Sequence, residues 1–263
     1  MCVNSFFCQK EVKMYYGALL QPWNNEGIVI RNEVPLDTHK MVLFAGGTGS
    51  GKTQSIITQL GLLIKEGVRD ITLCDFKGID FQFLNGYRKY YSGDFAFDGI
   101  MAFYEEFTQA RHGGTVDKQH HILIVDEYPS LLTYFQTKDK ADRTKRANDI
   151  MSAISEMLML GRGLNYGVWI SCQRASSSWF ENGSRDNFQV ICALGRLSKE
   201  QRQMLFSGED FDANIRIYGP GTGLCLADGR ELVEVQFPLI SDLANWKEHI
   251  RQELMTSGEL STV

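Results

Sequence analysis

No stretch of this sequence approaches the roughly 18 to 20 consecutive apolar residues that a bilayer-spanning helix requires. The N-terminus also lacks the basic-then-apolar order of a secretory signal. The chain is therefore expected in the cytoplasm, with any attachment to a membrane supplied by a partner. The six cysteines, Cys2, Cys8, Cys74, Cys172, Cys192 and Cys225, include no C-x-x-C pair, which excludes the common zinc-ribbon and dithiol redox motifs. Cys74, Cys172 and Cys192 lie inside apolar runs and are expected to be small buried hydrophobes. The five histidines, His39, His112, His120, His121 and His249, show no ligand spacing, so no zinc is expected. Positive charge is not in surplus either: 27 Lys and Arg face 32 Asp and Glu, for a net charge of −5. That balance excludes a broad phosphate-neutralising surface and confines any nucleic-acid contact to local basic patches. Internal repeats and low-complexity tracts are absent.

What the sequence does have is ordinary for a folded α/β domain. Its 263 residues are 43% apolar, 22% charged and 11% aromatic, enough to bury a sizeable core. Residues 1–38 read as extended segments with turns at Gln21-Pro22, Asn24-Asn25 and Val34-Pro35. They lead into the strand-like run Met41 to Ala45, which ends in glycines. Ile56, Ile57, Leu60, Leu63 and Ile64 then recur at helical spacing as far as Gly67, a helix stop. The alternation continues with a strand from Ile71 to Cys74, an amphipathic helix around Ile100 to Ala110 and a strand from Ile122 to Val125. A helix carrying Ile150, Ile154, Met157 and Leu158 follows, then strands at Val168 to Cys172 and Val190 to Leu194. Short apolar runs separated by helices of this length predict βαβ crossovers and a mainly parallel sheet flanked by helices. Near the end, Asp228-Gly229 between two strand-like runs predicts a β-hairpin. Leu243, Trp246, Ile250 and Leu254 mark a closing helix. The expected organisation is an N-terminal extended segment over 1–38, one main α/β domain over 39–240, and a C-terminal helix and tail over 241–263.

Residues 46–53 read Gly46-Gly47-Thr48-Gly49-Ser50-Gly51-Lys52-Thr53 and satisfy G-x-x-x-x-G-K-[ST] between a strand and a helix. Glycines let successive backbone N–H groups curl around an anion, and the helix N-terminus adds partial positive charge. Lys52 would reach the β- and γ-phosphates of ATP, and the Thr53 hydroxyl would ligate Mg2+. Hydrolysis needs a second metal-holding group and a base. The run His121-Ile122-Leu123-Ile124-Val125-Asp126-Glu127 supplies both, with Asp126 at the strand tip for the Mg2+ shell and Glu127 to polarise the attacking water.

Four segments together resemble the FtsK–SpoIIIE and HerA group of P-loop DNA translocases, which includes the type IV coupling proteins of conjugation. The lead-in from His39 to Gly47 resembles the group's strand before the phosphate loop. Residues 73–80, with Asp75, Phe76 and Lys77, resemble its D-P-K segment, with Phe76 in place of the usual proline. Residues 160–174, ending Cys172-Gln173-Arg174, resemble a strand that ends in a γ-phosphate-sensing Gln. Residues 219–235 resemble its closing hairpin. The resemblance covers residues 39–238 and implies a RecA-like P-loop NTPase fold with a C-terminal β-hairpin and helix. It also implies a catalytic set of Lys52, Thr53, Asp126, Glu127 and Gln173, to which Asp75 and Lys77 are weaker additions. The group's large membrane-anchored α-domain and its winged helix have no counterpart here, so a minimal motor is expected.

The resemblance further implies a homo-oligomeric, hexameric ring in which an arginine from a neighbour completes each site, with DNA moved through the middle. Arg162, Arg196 and Arg202 are candidates for that arginine, Arg162 and Arg196 being preferred. Residues 138–146 hold Lys138, Lys140, Arg143, Lys145 and Arg146 and are expected as a basic DNA-contacting loop. Residues 176–186, with Trp179, Phe180 and Arg185, form a second candidate. A conjugative or mobile-element role would add a relaxase or a membrane secretion partner. A phage packaging or assembly ATPase, and a nucleotide-dependent adaptor that moves nothing, stand as alternatives.

Overall fold

The computed structural model describes residues 11–114, 116–209 and 217–259. Cys2, Cys8 and the first part of the expected N-terminal segment lie outside the described residues. In chain order the elements are β1 (Lys13–Leu19), α1 (Leu20–Glu26), β2 (Arg31–Pro35), β3 (Val42–Ala45), α2 (Lys52–Lys65) and β4 (Asp70–Asp75). They continue with β5 (Tyr90–Ser92), α3 (Ala96–Gly113), β6 (His121–Asp126), α4 (Tyr128–Asp142), α5 (Arg146–Leu160) and β7 (Tyr166–Cys172). The last are β8 (Val190–Leu194), α6 (Lys199–Leu205), β9 (Thr222–Ala227), β10 (Val233–Gln236) and α7 (Leu243–Glu259).

All ten strands form one sheet in the order β2-β1-β10-β9-β8-β3-β7-β6-β4-β5. From β8 to β5 every pairing is parallel, and from β2 to β8 every pairing is antiparallel. β3, β6 and β7 are buried along their whole length, as continuous apolar runs must be when helices cover both faces of a parallel sheet. On one face, α3, α4 and α5 bury Phe103, Phe107, Leu131, Phe135, Ile150 and Met157. On the other, α2 and α7 bury Ile56, Leu60, Leu63, Ile250 and Leu254 against Phe44 and Trp169. The central mainly parallel α/β sheet is thus as the apolar runs predict. The hairpin turns at Asp228-Gly229 with Gly229 at φ 72°, and the closing helix lies across α2. Cys74, Cys172 and Cys192 are buried free thiols, as is Cys225.

Two expectations need correction. Lys13–Leu19 and Arg31–Pro35 are extended, as expected, but they are strands of the sheet, joined to it through β10, and Leu20–Glu26 between them is helical where turns are expected. Alternating burial of Met14 and Tyr16 on β1, and of Asn32 and Val34 on β2, drives this pairing. The basic stretch 138–146 is not a loop. Lys138 and Lys140 lie on the last turns of α4, Arg143 caps that helix in the left-handed region at φ 57°, and Arg146 begins α5. Asp139 fixes this corner, accepting bonds from Arg146 Nε (3.0 Å) and Ala147 N–H (2.9 Å). Lys138 pairs with Asp94 and Arg146 with Asp139 and Asp142, so among the described residues three of the five charges, Lys140, Arg143 and Lys145, face solvent without an ion-pair partner.

α7 docks on α2 at Gly61, where a Cβ would lie 2.2 Å from the Trp246 indole. The indole N–H meanwhile donates to the Ile57 carbonyl at 3.2 Å. Helix propensity alone favours Gly→Ala by about 1 kcal/mol, whereas overpacking a rigid ring costs about 1–3 kcal/mol. Gly61→Ala should therefore lower the urea midpoint in the wild-type background and raise it in Trp246→Ala. The same sign in both backgrounds would refute this packing account.

Candidate nucleotide site

The carboxyl ends of β3, β6 and β7 meet at one edge of the sheet, and Lys52, Thr53, Asp126, Glu127 and Gln173 gather there. The phosphate loop leaves β3 at Gly46, whose N–H donates to the Cys172 carbonyl of β7 at 3.2 Å. Gly46 has φ +150°, and a Cβ there would sit 2.4 Å from the Leu194 carbonyl oxygen. Gly51, at φ +96°, precedes α2, and a Cβ there would lie 2.5 Å from the Gly221 amide nitrogen. Only glycine combines these dihedrals with such close backbone approach. Gly221 in turn donates its N–H to the Ser50 carbonyl at 2.8 Å, so the segment before the hairpin clasps the loop. Gly47, Thr48 and Gly49 are exposed at its tip. Lys52 folds over it and donates to the carbonyls of Gly46 (2.6 Å) and Gly47 (3.2 Å). Burial lowers the Lys52 ammonium from its ordinary range, against the pull of Glu127 and Asp126. Thr53 follows on the first turn of α2, at the positive end of the helix.

Asp126 ends β6 with 1% of its surface exposed. Its Oδ1 accepts a bond from Ser171 Oγ of β7, while Oδ2 is buried and has no hydrogen-bond partner. Burial, reinforced by the charges of Glu127, Asp75 and Asp80 and opposed by the Ser171 hydrogen bond, raises the Asp126 carboxyl to about 6. An orphaned buried carboxylate oxygen beside a phosphate loop has the chemistry of a hard-cation ligand, so the residues fit Mg2+ held by Asp126 and Thr53.

Glu127 caps α4 in the left-handed region at φ 53°, an uncommon conformation for a non-glycine residue. Its N–H donates to Ser171 Oγ at 3.0 Å. Its carboxylate accepts from Lys77 Nζ at 2.9 Å and from Gln173 Nε2 at 3.4 Å. Lys77 is thereby brought to the site by an ion pair. Asp75 instead caps the turn that follows β4, accepting from the N–H groups of Gly78 (2.9 Å) and Phe81 (3.2 Å) and from Tyr90 OH (3.3 Å). Ser171, which joins Asp126 to Glu127, does not stand out in the sequence. Its only signal is a small polar residue within a wholly buried apolar strand.

The three arginines separate. Arg162 is exposed in the turn before β7, at the sheet edge opposite its own phosphate loop and close enough to lower Lys40 by repulsion. Arg196 is exposed directly after Gly195, which packs on Ser50 of the loop. Arg202 is buried on α6, with Nε and Nη2 lacking hydrogen-bond partners. In the 176–186 segment, Phe180 is buried against Tyr128 and Phe188, and Trp179 packs on the core, so its aromatics serve packing. Among the described residues no group of three or more His, Cys, Asp and Glu side chains is placed to hold a metal ion, and no helix is long and apolar enough to cross a membrane.

No family model matches the chain. It is 24% identical over 230 residues to an FtsK domain-containing protein, YdcQ, of Bacillus subtilis (strain 168). The match takes in 81% of this chain and 46% of that protein, so the chain spans about half the length of its relative. Its structure superposes on the pCW3 conjugation coupling protein TcpA, solved as a monomer with ATPgS, at TM-score 0.73 and 19% identity over 97% of this chain and 73% of that one. The cytoplasmic domain of the Thermomonospora curvata type VII secretion ATPase EccC follows at TM-score 0.68 and 16% identity, covering 94% of this chain and 31% of that one. The chain thus has the RecA-like α/β fold of the FtsK-type P-loop ATPases, the group that its four motif segments resemble.

Proposed function

We propose that this chain is an ATP-hydrolysing motor subunit of the FtsK–HerA type, one that assembles into a ring, a hexamer by resemblance, and moves DNA in conjugative or other mobile-element transfer. The observation that carries the ATPase reading is the convergence of Lys52, Thr53, Asp126 and Glu127 at one sheet edge, with Asp126 Oδ2 left unpaired in a buried position. In this reading the backbone of residues 46–51 and Lys52 bind the phosphates, and Thr53 and Asp126 hold Mg2+. That ion would supply charge neutralisation at the β- and γ-phosphates. Glu127 takes a proton from the attacking water, and Gln173, exposed just past the end of β7, lies where a terminal phosphate can be sensed. Lys52→Ala should abolish ATP–Mg2+ binding in a calorimetric titration. Glu127→Gln should retain binding and lose at least a hundredfold in turnover, within the range of a general base. Equal hydrolysis by wild type and Glu127→Gln would remove Glu127 from the mechanism. A chain that binds ATP yet never hydrolyses it, with or without DNA, would be an adaptor.

The position of Arg162, away from its own loop, suits action on a neighbour's site better than that of Arg196. Arg162→Ala and Lys52→Ala subunits should each be inactive alone and recover part of the activity when mixed, because one intact composite site forms at their junction. Assembled mixed rings that stay inactive would refute action in trans.

DNA binding rests on the exposed charges of Lys140, Arg143 and Lys145 at the α4–α5 corner. Their joint replacement by Ser should weaken binding about equally for unrelated sequences and flatten the logarithmic salt dependence by roughly 0.7 to 0.9 for each phosphate no longer neutralised. An unchanged slope would show that the corner is merely solvated. A relaxase or membrane secretion partner belongs to the same proposal, with packaging of a phage genome as its alternative.

A further inference from the structure

Both carboxylate oxygens of Glu127 are engaged, one by the Lys77 ammonium at 2.9 Å and the other by the Gln173 amide at 3.4 Å. Each carboxylate oxygen keeps a second lone pair for water, but an ammonium at this distance stabilises the unprotonated form and so weakens the carboxylate as an acceptor for the water proton. The two partners differ in freedom. The Glu127 side chain is 8% exposed, fixed by the left-handed backbone and by the Ser171 bond to its N–H. The Lys77 side chain is 40% exposed on a turn whose neighbour Ile79 is 67% exposed. That turn is anchored from below by Asp75, so the flexible stem of Lys77 can swing while its backbone stays in place.

We propose that Lys77 is a phosphate-operated catch on Glu127: paired with the carboxylate as here, it withholds the base, and transfer of its ammonium to a phosphate group releases it. The proposal rests on the reading of Glu127 as the base, and Lys77 is in it a positioning residue. A phosphate group carries the charge to compete with one carboxylate and can come from the nucleotide on the loop or from the backbone of DNA. Burial disfavours the Lys77 ammonium, but the bond to Glu127 and the charges of Glu127, Asp126 and Asp80 outweigh it and raise its pKa.

Steady-state hydrolysis by wild type, Lys77→Met and Lys77→Arg, with and without DNA, tests this. If DNA is the phosphate source, Lys77→Met should raise kcat without DNA severalfold at unchanged KM for ATP and lose its stimulation by DNA, and Lys77→Arg should restore both. If the nucleotide is the source, the catch is open in each ATP-bound subunit: Lys77→Met keeps the wild-type kcat, its KM for ATP rises severalfold with loss of the Lys77–phosphate contact, and both proteins respond to DNA by the same factor. A Lys77→Met enzyme with wild-type kcat, KM and DNA stimulation, or one with a lower kcat, overturns the catch. A second arm works without turnover: lysines are dimethylated with 13C-formaldehyde, and the Lys77 signal is assigned by its absence in Lys77→Arg. That signal should shift in Glu127→Gln, and likewise when AMP-PNP–Mg2+ or a DNA oligonucleotide is added to wild type. A signal indifferent to all three refutes the proposal. Absence of hydrolysis by the wild type under every condition would instead refute the ATPase reading, while this second arm still decides the ion pair.

Discussion

A carboxylate at the tip of a fully buried strand is costly unless something answers its charge, and Asp126 is such a carboxylate. One oxygen is satisfied by Ser171; the other is not. The sheet order explains why this demand appears at the phosphate loop and nowhere else on β6. β7 lies between β3 and β6, so a side chain at its carboxyl end can reach the Asp126 carboxylate while its backbone receives the Gly46 N–H. Because all three strands are parallel, their carboxyl ends fall together, and the glycine loop, Asp126 and Glu127 inherit one edge. Burial and the neighbouring carboxylates raise the Asp126 carboxyl for the same reason, and a divalent cation held with Thr53 would answer that charge.

The parts of this arrangement that depend on local pattern are legible in the sequence. Apolar runs of four to six residues, punctuated by glycine and followed by helical periodicity, point to the parallel core, and the glycine loop ending in Lys52-Thr53 stands out by spacing alone. The same logic applies to α4, where Tyr128, Leu131, Leu132 and Phe135 recur at helical spacing. The charged run that follows them resembles a solvated loop, although basic residues suit the last turn of a helix. At the N-terminus, Gln21-Pro22 and Asn24-Asn25 carry turn signals, yet the chain continues through them as a short helix. The alternation of Met14 and Tyr16 is the stronger guide. Ser171 and the Lys77–Glu127 pair are beyond local pattern, since both depend on which strands become neighbours.

The two sides of the site differ in how much they can move. On the phosphate side, Gly46 and Gly51 press against backbone atoms of Leu194 and Gly221, with no room for a methyl group. The antiparallel half of the sheet holds those partners in register, with β8 and β9 paired from Val190↔Ala227 to Leu194↔Gly223. This side is a rigid cradle fixed by main-chain contacts. On the other side, the contacts to the Glu127 carboxylate are made by side chains, Lys77 and Gln173, each reaching in from an exposed segment. If the proposed function holds, binding and control are divided between backbone and side chains. A signal arriving at the surface would then change the environment of Glu127 without disturbing the glycine loop, and hydrolysis would be governed separately from nucleotide affinity.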